Sequence, residues 1–212
     1  MVDSLTSYFS VPKGETDIRM VYDGTKSGLN DSLWAPWFAL STVEGLLRSV
    51  GPDTFMGEID IGDMFHNFML HEKVQRVAGI DITPFFLEEL LDRRGVRMIW
   101  ERWVKCAMGL KCSPYNTIQG ALFMDEVIRG NPKEPTNVLR WSTVKLNLPG
   151  SPNYQPHLAW VHRAREDGSL ACDFITYVDD TRTCGNSKLE ARSVSRVVAS
   201  QMNWLGIQEA AR

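Results

Sequence analysis

The chain has 212 residues, 43% of them apolar and 23% charged, with a formal net charge of −3 and an isoelectric point near 5.8. That length and apolar content allow a sizeable core in one domain or one compact pair of subdomains, and they exclude disorder of the whole chain. The acidic balance is not that of a strong nonspecific nucleic-acid binder, and no apolar run approaches membrane-spanning length.

Residues 1–14 show no signal peptide, and Cys106, Cys112, Cys172 and Cys184 have neither CxxC spacing nor a nearby His. The expectation is therefore reduced thiols in a soluble intracellular protein of cytoplasm or nucleus, not secreted, rather than a zinc site. Val11-Pro12-Lys13-Gly14 opens a hairpin whose return strand covers residues 17–22. Lys13 and Arg19 then project from neighbouring strands. Such cations suit a phosphate chain, since Arg forks onto its oxygens and Lys acts as a point charge. Two solvated charges on an edge strand is the competing reading, above all for Lys13. Residues 24–30 have loop chemistry but lack the Gly-Lys-Ser/Thr ending and strand-to-helix context of a P-loop. Ser41 and Glu44 have capping-box spacing, and Leu46, Leu47 and Val50 continue a stripe that Gly51-Pro52 stops.

In residues 55–65, Phe55, Ile59 and Ile61 fall on one face of a period-two strand, Asp60 points from the other, and Gly62 interrupts the pattern. His66 and His71 are five apart, which does not share a helical face, so neither is expected to ligate a metal. Residues 74–83 and 96–108 alternate as two further strands around a helix-like stretch at 84–93. Arg93, Arg94, Arg97, Arg102, Lys105 and Lys111 form a locally basic stretch, either a nucleic-acid contact or a solvated charged face. Ser113-Pro114 reads as an N-cap followed by Pro at the first helical position, with Ile118, Ala121, Leu122, Val127 and Ile128 as the stripe and Gly130 as the end. Residues 131–169 read as loops around one short strand near 141–148. Ser187 and Glu190 form a second capping box, opening a helix with Val194, Val197, Val198 and Met202 on its apolar face and Gly206 at its close.

Between those last two segments lies Tyr177-Val178-Asp179-Asp180, flanked by short alternating runs at 171–178 and 181–184. An Asp-Asp hairpin tip is permissible, though Asn-Gly or Asp-Gly is commoner, and an ordinary polar turn is the plain reading. The strand pattern lets Asp60 face this tip. Three carboxylates in one small volume repel unless cations neutralise them, and hard oxygen ligands suit Mg²⁺ or Mn²⁺. The chemistry this implies is two-metal phosphoryl transfer.

Four stretches in this order resemble the fingers and palm of a reverse transcriptase of the retroviral and retrotransposon kind. They are Ile18-Arg19-Met20-Val21-Tyr22-Asp23, Ile59-Asp60-Ile61-Gly62-Asp63-Met64-Phe65, Met108-Gly109-Leu110-Lys111-Cys112-Ser113-Pro114 and Tyr177-Val178-Asp179-Asp180. The resemblance implies an α+β fold with an antiparallel palm sheet backed by helices: fingers-like 1–53 and 72–107, palm-like 54–71 and 108–212, and an insertion at about 131–169. It implies Asp60, Asp179 and Asp180 as catalytic residues and, with Ile61, as ligands of two Mg²⁺ that Mn²⁺ replaces. It implies Lys13, Arg19, Asp63, Phe65, Met108 and Gly109 as nucleotide contacts. Phe65 would exclude a 2′-hydroxyl by clash, although one more core Phe is the plainer reading. Gly109 would let backbone approach nucleotide or template. Met108 departs from the Gln or aromatic that the family often has. The implied partners are an RNA or DNA template with primer, deoxynucleoside triphosphates and other parts of a retroelement polyprotein, with no membrane. Thumb, primer-gripping hairpin and RNase H do not follow in this sequence. Two other readings accompany this one: a catalytically silent, truncated relic or nucleic-acid-binding module, and an RNA-dependent RNA polymerase, which the tetrapeptide and Phe65 resemble less.

Overall fold

A computed structural model describes residues 1–210, for Leu90 the backbone alone. In chain order the elements are β1 (Ser7–Lys13), β2 (Asp17–Asp23), α1 (Leu29–Ser32), α2 (Val43–Leu47), β3 (Phe55–Asp60), α3 (Glu72–Gln75), β4 (Gly79–Asp81), α4 (Glu88–Arg94), β5 (Trp100–Arg102), α5 (Ser113–Arg129), β6 (Thr143–Leu146), β7 (Val161–Ala164), β8 (Phe174–Tyr177), β9 (Asp180–Gly185) and α6 (Lys188–Trp204). The architecture is mixed α and β, with small antiparallel sheets ordered β1-β2, β3-β9-β8, β4-β5 and β6-β7. The chain divides into two compact units: Met1–Phe38 with Phe65–Thr117, and Ala39–Met64 with Ile118–Arg212.

In the first unit the expected hairpin forms, running in register from Ser7↔Asp23 to Lys13↔Asp17, with Gly14 at φ 69° in its turn. Its core gathers Tyr22, Leu70, Ala78, Ile80, Cys106, Ala107, Leu110 and Cys112. The strands expected at 74–83 and 96–108 shrink to β4 and β5, three residues each. The cause is local: residues 72–75 wind into α3, whose first turn is capped by the His71 side chain accepting the Lys73 N–H. His66 sets its ring edge-on to Trp103, so both histidines have structural work. The helix expected at 84–93 begins later, at Glu88, because Thr83–Phe85 forms a separate 3-10 turn.

In the second unit β9 lies between β3 and β8, and α6 packs on β9 and β3. The α6 sequence specifies both its ends. Ser187 accepts the Glu190 N–H at 3.1 Å, while the Glu190 carboxylate takes the Asn186 N–H at 2.8 Å. At the other end Gly206 is left-handed (φ 84°), its N–H bonds the Asn203 carbonyl, and the Ile207 N–H bonds that of Met202, the two-bond Schellman pattern with both apolar partners buried. Ala191, Val194, Val198 and Met202 form the buried face.

Four expectations here need correction. Ser41 caps nothing: Thr42 is the N-cap of α2, makes no side-chain cap bond, and the helix runs only five residues. In α5, Ser113 lies within the helix and its hydroxyl accepts the Ala107 N–H instead. The buried stripe of α5 is Ile118, Ala121, Met124 and Ile128, with Leu122 and Val127 outward. The insertion also holds two strands rather than one, β6 and β7, paired from Thr143↔Ala164 to Leu146↔Val161. Buried Asn147 ties down the loop between them, its amide donating to the Gln155 and Leu158 carbonyls and its carbonyl accepting the Gln155 N–H.

All four cysteines are free thiols and buried. Burial pushes Cys106 and Cys184 up to about 11 and Cys172 to about 12, which leaves them poor nucleophiles. No helix among the described residues is long and apolar enough to cross a membrane.

Candidate functional site

The β8–β9 connection is a two-residue hairpin, Val178-Asp179, closed by the pair Tyr177↔Asp180. Val178 has φ 57° and Asp179 is not in the positive region, the pattern of a type II′ turn whose first position normally takes Gly. A β-branched residue there is strained, at a cost of about 1–3 kcal/mol, and such strain persists only where surrounding structure fixes it. What fixes it here is the pairing on both sides of β9.

On the other side of β9, β3 is in register from Phe55↔Gly185 to Asp60↔Asp180. Directly opposed residues of an antiparallel pair share a face. Asp60, Asp180 and Tyr177 therefore stand on one exposed face of the sheet, with Glu58 and Arg182 joined there at 2.7 Å. Beyond the end of β3 the Ile61 N–H donates to the Asp179 carbonyl at 2.8 Å. Asp60, Ile61, Asp179 and Asp180 are thus brought together by backbone pairing alone. Ile61 itself is buried and has only main-chain atoms to offer a ligand.

The segment after α6 completes the edge. The Gly62 N–H donates to Gln208, the Ala210 N–H donates to the Asp60 carbonyl at 2.9 Å, and Ile61 bridges Glu209. This places a fourth carboxylate, Glu209, beside Asp60 in a cavity of about 360 Å³ that Glu58, Ile59 and Ala210 also line. Nothing in the sequence around Glu209 signalled that position.

The donor set fits a hard divalent cation in kind and in backbone placement. The side chains themselves are not drawn together: among the described residues no three His, Cys, Asp or Glu are placed to hold one metal ion.

The opposite face of the hairpin is buried and polar. Thr176 and Thr181, directly paired, touch through their hydroxyls at 3.1 Å, and Thr176 donates to the Asp125 carboxylate at 2.8 Å. Asp125 is 2% exposed, and desolvation raises its carboxyl to about 6 against the lowering pull of Thr176 and Arg129. Arg129 also bonds Asp173 at 3.2 Å and the Phe174 carbonyl at 2.9 Å, and Arg163 pairs with Asp173 from β7. These residues anchor the base of the hairpin, and sequence reading passed over them. The available signal was a charge, Asp125, at a position of α5 where helical spacing calls for an apolar residue.

In the first unit Arg19 pairs with Val11 and Lys13 with Asp17, so both cations lie on the same face of the hairpin, diagonal neighbours along it. Lys13 reaches the Asp17 carboxylate at 3.9 Å. Phe65 is partly buried and packed against the core around Tyr22 and Leu70. Asp63 has φ 43°, which Asp tolerates. The Met108 carbonyl accepts the Tyr22 N–H at 2.9 Å. Gly109, at φ 99°, has a structural reason to be glycine: a Cβ there would overlap the Tyr22 carbonyl. Asn30 clamps the same loop, donating to the Gly109 carbonyl at 2.9 Å and accepting the Lys111 N–H at 2.8 Å.

No protein-family model and no curated protein matches this chain. Among solved structures it is similar to a foamy viral protease-reverse transcriptase dRH in complex with ds DNA, with a TM-score of 0.60 at 14% sequence identity, covering 99% of this chain and 27% of that one. The chain therefore spans about a quarter of the length of that neighbour. What the likeness shows is a shared fold along nearly the whole of this chain.

Proposed function

We propose that the chain is the fingers and palm of an RNA-directed DNA polymerase from a retroelement, with Asp60, Asp179 and Asp180 as its catalytic carboxylates. The observation that carries this reading is the Asp60↔Asp180 register beside a strained Val178-Asp179 turn, in a fold shared with a reverse transcriptase. Two Mg²⁺, or Mn²⁺ in their place, held by Asp60, Asp179, Asp180 and the Ile61 backbone would activate the primer 3′-hydroxyl and stabilise phosphoryl charge. The hairpin's part is to keep two of the carboxylates fixed through a main-chain turn. Arg19 and Lys13 take the triphosphate of a deoxynucleotide, Phe65 meets its sugar, and Asp63, Met108 and Gly109 complete the nucleotide contacts, as the resemblance assigns. Template and primer supply sequence selection by base pairing.

A second reading, a nucleic-acid-binding module without catalysis, is favoured by one observation: the carboxylates share a face without converging. Primer extension on a poly(rA)/oligo(dT) duplex with dTTP and Mg²⁺ or Mn²⁺ separates the two. Extension by wild type that falls at least about a hundredfold in Asp179→Asn is the expected result. A folded wild type that binds the duplex yet extends nothing gives the case to the second reading.

A further inference from the structure

Residues 131–169 take no part in the carboxylate site, yet another cavity of the second unit, about 540 Å³, opens among them. Its walls come from the loop after α5, the residues leading into β6 and the turn after β7. It shares no lining residue with the cavity at Asp60. That volume accommodates one nucleotide.

The chemistry of the walls selects among ligands. Trp141 is half-buried and presents an aromatic wall, held by the Arg163 guanidinium 5.5 Å from its ring centroid. Lys133 and Arg140 are exposed at the cavity and make no salt bridge among the described residues; Arg140 bonds only the Asn137 carbonyl, at 3.3 Å. Arg165 is braced by Glu190 at 2.6 Å and bonds the Val138 carbonyl and the Cys172 sulfur, which leaves its buried Nε without an acceptor. Two acids complete the lining. Asp167 is engaged by the Ser169 N–H and hydroxyl, whereas Glu166 is exposed. A ring platform, cations for a phosphate and a carboxylate for an amino group together match a nucleotide better than a bare anion or an apolar ligand.

We infer that this cavity binds single-stranded nucleic acid, one base stacking on Trp141 while its phosphates meet Lys133 and Arg140. The site does not require the carboxylate site to be catalytic. Stacking on an aromatic platform accepts any base, so the cavity acts as a sequence-tolerant anchor for a strand.

The test is fluorescence anisotropy with a labelled oligo(dA) of about twelve nucleotides and an abasic oligomer of equal length, for folded wild type, Trp141→Ala, Trp141→Phe and the double variant Lys133→Glu/Arg140→Glu. Trp141→Ala and the double variant each weaken oligo(dA) binding by about tenfold, the abasic oligomer loses as much against wild type, and Trp141→Phe binds like wild type. The exposed double variant keeps the test decisive should Trp141→Ala fail to fold. Unchanged affinity in the double variant, an abasic oligomer bound as tightly as oligo(dA), or no binding by folded wild type overturns the inference.

Discussion

At the scale of single residues the candidate site turns on Val178. A β-branched side chain at φ 57° occupies a turn position suited to Gly, and strain of about 1–3 kcal/mol is retained where a relaxed alternative exists. Val178→Gly releases that strain but adds unfolded-chain entropy of about 0.4–1 kcal/mol, so the expected net is a gain of about 1 kcal/mol and a Tm higher by about 2–4 °C. The same change lets the turn wander and lowers primer extension by wild-type standards. A thermal unfolding midpoint that falls in Val178→Gly shows the turn to be unstrained and removes this support for function. Sequence alone marked Asp179 and Asp180 by their charge, but nothing in the letter Val at position 178 announced a positive φ. Gly109 taught the converse: its glycine was legible, and its reason, the Tyr22 carbonyl, lay 87 residues away in the chain.

Between elements, α5 grips the β8–β9 hairpin through a carboxylate whose proton affinity is raised by folding. Asp125 has an ordinary value of 3.8 when unfolded and about 6 when buried, so the folded chain binds the proton more tightly. Its contribution to stability is therefore complete below about 3.8 and is lost as pH rises through about 6. The size is roughly 3 kcal/mol for a shift of about two units. The expected result is that the Tm of wild type minus that of Asp125→Asn falls by several degrees between about pH 4 and pH 7, and parallel profiles sink the assignment. Elements whose ends carry their own chemistry were legible: α6 by its Ser187-Glu190 box and Gly206, the β1–β2 hairpin by Gly14, and β3 by its alternation. The rest depended on tertiary pairing. β4 is short because α3 and a 3-10 turn claim its flanks, β5 pairs only with those three residues, and the strand expected near 141–148 is β6, whose partner β7 is a strand only through that pairing.

For the whole molecule the question is how a chain of net charge −3 would hold the polyanion that the proposed function requires. Arg93 and Arg94 lie in the last turn of α4, whose first turn carries Glu88 and Glu89, an arrangement that complements the helix dipole and explains these two cations without a ligand. Arg97, Arg102, Lys105 and Lys111 have no such reason, and none of the four forms a salt bridge among the described residues. Each cation that meets a phosphate adds about 0.9 to the slope of log K against log salt, so four contacts give a slope of about −3.6 for duplex binding. Replacing Arg97, Arg102 and Lys105 by Ala is expected to flatten the slope by about 2.7, whereas replacing Arg93 and Arg94 leaves it unchanged. Titrating a labelled duplex at salt from about 50 to 200 mM measures both. Equal flattening in the two variants would make the five replaced cations one surface, and no flattening in either would make those five a solvated face.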